Sequence, residues 1–217
     1  DKLSFKINNM YHPAIESPVK NNLDIKKNII ITGPNAAGKT TTIKATIINL
    51  LITQQLGLGF FEKCKTGTFD FIHCYLNIPD SCSRDSLFQA EARRCRNILN
   101  TIQNNPKKRH FCIFDELYSG TNPYEAISSA YSYLNFIAKN ENVKFLLTTH
   151  YIKLCHLFKD TSNVLNKSMK TTIKNNNPQY TYKIAKGVSD VKGGVSVLKQ
   201  LHYPKEIIDL TINVLEK

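Results

Sequence analysis

The sequence lacks the features that mark several protein classes. Its six cysteines, at 64, 74, 82, 95, 112 and 155, include no C-x-x-C pair, and the closest two are eight residues apart. Such spacing argues against a disulfide framework or a zinc site, so buried or partly buried free thiols in a reducing compartment are expected. No apolar run approaches the roughly 20 residues needed to cross a membrane, and the opening DKLSFKINN has no hydrophobic leader core. Internal repeats and low-complexity linkers are also missing. Acidic residues are few: 17 Asp and Glu face 29 Lys and Arg, a formal net charge of +12. An intracellular domain with no membrane partner and a bias toward polyanions is the expectation. That bias is uneven, because residues 159–205 hold nine Lys and two Asp.

What is present suits a packed core. The 217 residues are 41% hydrophobic and 21% charged, enough for one large domain or two small ones. Apolar runs at Asn28–Thr32, Asp70–Leu76, Phe111–Phe114 and Val143–Thr148 read as strands. Three of the four are nearly continuous, as in strands covered on both faces. Helical patterns lie between them near 40–56, 84–104 and 123–139; the third has Asn122 as cap, Pro123 at the first helical position and Glu125 three after the cap. This alternation predicts an α/β fold with a mainly parallel central sheet flanked by helices. The last third predicts a hairpin, Lys167–Ile173 with Tyr180–Ala185, and two short helices at about 194–201 and 204–216. The expected organisation is a core over 1–160, a completing hairpin over 161–190 and a helix-turn-helix over 191–217.

One segment carries phosphate chemistry. Gly33-Pro34-Asn35-Ala36-Ala37-Gly38-Lys39-Thr40-Thr41 fits G-x-x-x-x-G-K-[ST] between a predicted strand and a predicted helix. Glycines let backbone N–H groups close round phosphates, and the helix N-terminus adds partial positive charge. Lys39 would reach the β- and γ-phosphates of ATP, and the Thr40 hydroxyl would ligate Mg²⁺. The matching carboxylate follows Phe111-Cys112-Ile113-Phe114: Asp115 for the metal, at the end of a neighbouring strand, and Glu116 to orient the attacking water. Leu146-Leu147-Thr148-Thr149-His150 ends another apolar strand, and His150 there could bind the γ-phosphate or position the water.

With these residues in place the sequence resembles the MutS family, ABC-type P-loop ATPases of DNA mismatch repair. The family's G-P-N-M-[AG]-G-K-[ST]-[ST] is similar to residues 33–41, its D-E-x-x-x-G-T to Asp115–Thr121, its T-H-[FY] to Thr149-His150-Tyr151, and its H-P-[VL] to His12-Pro13-Ala14. Its S-T-F-M-x-E resembles Ser86-Leu87-Phe88-Gln89-Ala90-Glu91, and its tail resembles Lys192–Pro204.

The resemblance implies ATP hydrolysis with Mg²⁺ in a homodimer or MutS-like heterodimer whose composite sites control clamping of mismatched duplex DNA. Ser86 would then reach the partner's γ-phosphate, where the residues alone suggest an ordinary helix cap. Val19 and Tyr182 would contact adenine, or serve routine packing. The C-terminal helices would pair the subunits, or simply cap the sheet.

Departures are Ala36 for the usual Met, Tyr118-Ser119 for Gly plus a basic residue, and Gly193 where Tyr is common. The composition and the phrase LFQAEARRC resemble divergent viral or organellar members. With no mismatch-reading, lever or clamp region recognisable, either a piece of a longer protein or a stand-alone ATPase unit is expected. Two alternatives stay open. Another ABC-type DNA-repair ATPase of the SMC kind would carry an L-S-G-G-type segment, which is missing here. A non-catalytic nucleotide- or nucleic-acid-binding module would draw on the Lys-rich segment 159–205, which otherwise forms a solvated basic face.

Overall fold

The computed structural model describes residues 4–76, 86–174, 177–189, 191 and 193–215. In chain order the elements are β1 (Phe5–Met10), β2 (Asn21–Ile25), β3 (Asn28–Thr32), α1 (Lys39–Leu56), β4 (Lys63–Thr66), β5 (Phe71–Tyr75), α2 (Leu87–Asn104) and β6 (His110–Asp115). They continue as α3 (Pro123–Ala138), β7 (Val143–Thr149), α4 (Ile152–Leu157), β8 (Val164–Lys174), β9 (Asn177–Lys186), α5 (Gly194–Gln200) and α6 (Lys205–Leu215).

Six strands form one sheet in the order β5-β6-β7-β3-β8-β9. All neighbouring pairs are parallel except β8 with β9. The predicted mainly parallel sheet is therefore present, and the hairpin belongs to it, because β8 pairs directly with β3. Of the turn expected at Asn175–Pro178, Asn175 and Asn176 lie outside the described residues, while Asn177 and Pro178 open β9. A second, antiparallel sheet of order β2-β1-β4 is an addition to the expected layout.

Alternation along β3 divides the core. Ile29 and Ile31 face a cluster with Ile43, Ile47 and Leu50 of α1 and with Phe5, Ile7, Leu23 and Ile25 of the small sheet. Ile30 faces the other cluster, with Ile98 of α2, Leu134 of α3 and Leu154 of α4. Covered on both sides, β3 is buried at all five positions, and each such Ile contributes about 1.5–3 kcal/mol. Two buried asparagines find partners inside. Asn28 Oδ1 accepts from Phe145 N at 2.9 Å. Asn49 of α1 donates to Tyr11 O at 3.1 Å and accepts from Phe60 N at 2.6 Å, fastening the small sheet to α1.

The five described cysteines are free, and burial pushes the thiols of Cys95 and Cys155 up to about 12. Cys82 and the first residues of the helix expected from 84 lie outside the described residues. Asn122 caps α3 by accepting from Glu125 N at 3.0 Å, while the Glu125 carboxylate accepts the Thr121 hydroxyl at 2.6 Å.

An imidazole pair, His110 buried and His73 half-buried, makes the fold pH-sensitive. His73 of β5 and His110 of β6 stack at 5.3 Å between ring centres and share a 3.1 Å ring-nitrogen contact. His110 Nε2 lies 3.0 Å from Asn105 O. Across the contact between the rings, one nitrogen must donate and the other accept. Burial foremost, then the neighbouring His110 and Arg94, lowers the His73 pKa from 6.5 to about 4. Between those values the unfolded chain takes up a proton that the folded chain refuses. Stability is thus complete above pH 6.5 and falls as pH drops toward 4. Thermal midpoints measured across that window should fall with pH, and the slope should be shallower in His73→Phe.

Candidate functional site

Parallel register brings three strand ends to one edge. Thr32 lies beside Thr149, and Asp115 beside Thr148. The chain leaving β3 forms the loop Gly33–Gly38, which turns into α1. Gly38 caps that helix at φ +94°, and a Cβ there would stand 3.1 Å from Tyr182 Cδ1, so a side chain would be strained twice over. Ala36 also takes a positive φ of 64°.

Lys39 folds back into the loop with only 5% of its side chain exposed. Its Nζ donates to Gly33 O at 2.9 Å and Pro34 O at 3.2 Å, and stands 3.5 Å from both Asn35 Oδ1 and Glu116 Oε1. Thr40 Oγ1 donates to Asp115 Oδ2 at 2.9 Å. Asp115 was expected on a strand neighbouring β3. It sits one strand further, on β6, because β7 is inserted between them. The Thr148 hydroxyl of β7 spans the gap by bonding Asp115 Oδ1.

Glu116 lies just beyond the strand at φ 52°, with its N–H donating to Thr148 O at 3.0 Å. His150 Nδ1 lies 3.6 Å from Glu116 Oε1. The polar contact with His150, followed by the charge of Lys39, outweighs partial burial and holds the Glu116 carboxyl below its ordinary range. It is therefore a standing negative charge. Asn35, Thr40, Asp115, Glu116 and Ser119 join Tyr75, Leu87 and Glu91 around a polar cleft of about 410 Å³.

Two further cavities flank the loop. One of about 260 Å³ is lined by Tyr11, His12, Ile15, Pro18, Val19, Gly38, Thr41 and Tyr182, among others, so both residues proposed to contact adenine face one space next to the start of α1. Tyr182 is placed there by a bulge: its φ is 57° and pairing shifts between Met169 and Thr171. Asn21 fixes it by donating to Tyr182 O at 2.8 Å and accepting from Ile184 N at 2.8 Å. The other cavity, about 310 Å³, lies between Gly33-Pro34-Asn35, His150 and the start of α5.

Ser86 stands apart from these groups as the cap of α2. Its Oγ accepts from Gln89 N at 3.4 Å, and its own N–H donates to Gln89 Oε1 at 2.9 Å, a reciprocal box that the helix-cap reading anticipates. Sequence reasoning missed Thr148, Tyr75 and the inward role of Glu91. A signal for Glu91 existed: with Cys95, Ile98 and Ile102 it lies on the buried stripe of α2, where a carboxylate needs partners.

Among the described residues no cluster of three or more His, Cys, Asp or Glu could hold a metal alone. The Thr40–Asp115 pair at the cleft is instead the donor set that suits Mg²⁺ shared with substrate phosphates, since Mg²⁺ takes few protein ligands. No helix among the described residues is long and apolar enough to cross a membrane.

The family described as MutS domain V matches residues 29–217. DNA mismatch repair protein MutS of Persephonella marina is 31% identical over 99% of this chain and 25% of its own length. The protein of the same name from Clostridium perfringens is 31% identical over 97% of the chain and 24% of its own length. That from Fusobacterium nucleatum is 30% identical over 95% and 24%. The chain thus spans about a quarter of the length of these relatives. With MutS domain V matched from β3 onward, this chain belongs to the MutS family.

Proposed function

We propose that the chain is the ATP-binding and ATP-hydrolysing motor domain of a MutS-like DNA mismatch repair protein, working as a dimer with composite ATP sites that control DNA clamping. The observation that carries this reading is the convergence of Thr40, Asp115 and Glu116 on one polar cleft, with Lys39 Nζ 3.5 Å from Glu116 and an apolar cavity at the start of α1. The base of ATP fits the Val19–Tyr182 cavity, stacking on the Tyr182 ring.

Loop N–H groups and the α1 N-terminus would then meet the phosphates. Lys39 would exchange its carbonyl partners for phosphate oxygens, and Thr40 with Asp115 would hold Mg²⁺. That ion, when bound, offsets charge on the transferring phosphoryl group. Glu116, held ionised, orients a water toward the γ-phosphate and can take up its proton as a base. His150, in contact with Glu116, keeps the carboxylate turned to the cleft.

Pairing draws on α5 and α6, the proposed helix-turn-helix of 191–217. Val197, Leu201, Tyr203, Ile207, Leu210 and Val214 are 45–64% exposed there, an apolar surface unusual to leave in water. Residues 1–160 would then be the ATPase core and 161–190 the hairpin that completes it. The net charge of +12 favours polyanions in general; DNA as the partner rests on the family, mostly through regions other than this domain.

The test is concentration dependence. Turnover per chain should be low in dilute solution and rise with protein concentration as pairs form, with Mg-ATP raising the mass seen by light scattering. Ser86→Arg should block both effects by obstructing the partner's γ-phosphate. Ser86→Ala separates this from helix capping, since losing the cap should cost only about 0.5–2 kcal/mol of stability. Turnover independent of concentration, and untouched by Ser86→Arg, would contradict the shared site.

A further inference from the structure

We propose that Glu91 is a positioning residue for Glu116: a buried carboxylate on α2 that fixes the turn carrying the water-orienting charge. The proposal rests on the role given to Glu116 above. After Asp115 the backbone passes through φ 52° at Glu116 and φ 59° at Tyr118, two non-glycine residues in the left-handed region. Such conformations persist only where the surroundings over-determine them.

Here the surroundings are specific. Glu91 is 2% exposed, and both of its oxygens are committed to this turn. Oε1 accepts from Ser119 N at 3.0 Å and from Ser119 Oγ at 2.9 Å, while Oε2 accepts from Gly120 N at 3.0 Å. Tyr75 OH accepts from Tyr118 N at 3.3 Å. Gly120 closes the arrangement from the other side: a Cβ there would come within 2.7 Å of Phe88 N in the first turn of α2.

The turn is therefore welded to α2 at both its charged and its steric contact. Cys95, Ile98 and Ile102 seat the same helix in the core. A displacement of the α2 start, where Ser86 lies, would be passed through Glu91 to the backbone of Glu116. Although Glu91 borders the cleft, its two oxygens are taken up by Ser119 and Gly120, through which it acts.

Glu91→Gln makes the sharp variant. Its amide nitrogen must face an N–H donor at either Ser119 or Gly120, so the turn loses one anchor while helix and volume are kept. In single-turnover hydrolysis with the full chain in excess over Mg-ATP, the chemical step should slow by about 10- to 100-fold, the penalty of a misplaced reacting group. Affinity for Mg-ATP should stay unchanged.

The double variant Glu91→Gln/Glu116→Gln should be no slower than Glu116→Gln alone, because both substitutions remove one function. Tyr75→Phe, which leaves the Glu91 charge in place but removes the hydroxyl between it and Tyr118 N, should slow hydrolysis about 2- to 10-fold. It carries the test should Glu91→Gln fail to fold. Wild-type rates in Glu91→Gln or Tyr75→Phe alongside a slow Glu116→Gln overturn the positioning role, as do losses that multiply in the double variant. A fast Glu116→Gln instead overturns the reading of Glu116 itself and removes the basis for both.

Discussion

Glu116→Gln should slow ATP hydrolysis by about 10²–10⁴-fold, the usual share of a positioned base, while leaving Mg-ATP affinity close to wild type. The geometry separates these two effects. Lys39, Thr40 and Asp115 make the polar contacts a bound triphosphate would take over. Glu116 stands beyond them, its side chain 35% exposed at the cleft and 3.5 Å from Lys39 Nζ. Its negative charge adds little to ground-state binding of a polyanion and matters when water is aligned for attack, so the loss appears in the rate and not in the complex. Trapped ATP should then hold subunits together, and the variant should accumulate as a nucleotide-bound dimer by size-exclusion chromatography or light scattering. Asp115→Asn should differ by weakening Mg²⁺-dependent binding itself, because that carboxylate holds the Thr40 and Thr148 hydroxyls in place. A wild-type rate in Glu116→Gln would make His150 the first alternative.

Lys39→Ala should instead abolish most of the affinity for triphosphate. The Lys39 ammonium is buried, held by the neutral carbonyls of Gly33 and Pro34 and, more distantly, by the Glu116 carboxylate at 3.5 Å. A phosphate oxygen offers it a charged partner, and hydrogen bonds to charged groups are worth about 1.5–3 kcal/mol, roughly 10- to 150-fold in Kd. Removing the side chain also leaves those carbonyls with one donor fewer. Calorimetric titration with Mg-ATP should show the drop, with ADP binding less affected because the γ-phosphate contact is absent. Wild-type affinity in Lys39→Ala would show that Gly33–Thr41 is not a nucleotide loop.

Much of this site is legible in the sequence because it depends on local order. NIIIT, FCIFDE and LLTTH are apolar runs followed at once by polar residues, and parallel register then aligns their ends without further information. Elements without such runs escape sequence reading. β4 is KCKT, four residues with one apolar side chain, and six-residue α4 is too short to show a helical period. Missing β4 also conceals the small sheet. β7 separates β6 from β3, a long-range pairing that spacing cannot give, and so the Thr148 bridge to Asp115 goes unseen. Tyr182 is reached by resemblance alone; its bulge arises where three residues, Thr181–Lys183, oppose Lys170, and no periodicity encodes that. Glu91 was legible only as an acid on an apolar stripe, a conflict that tertiary structure resolves by supplying the turn as its partner.

The most direct measurement is phosphate release from Mg-ATP in a single turnover, with wild type and Glu116→Gln followed side by side at a protein concentration where wild type pairs. The proposed mechanism predicts a phase of phosphate release in wild type that is absent on the same timescale in Glu116→Gln, with ATP bound equally by both. Equal release from both chains, or none from wild type, would contradict it.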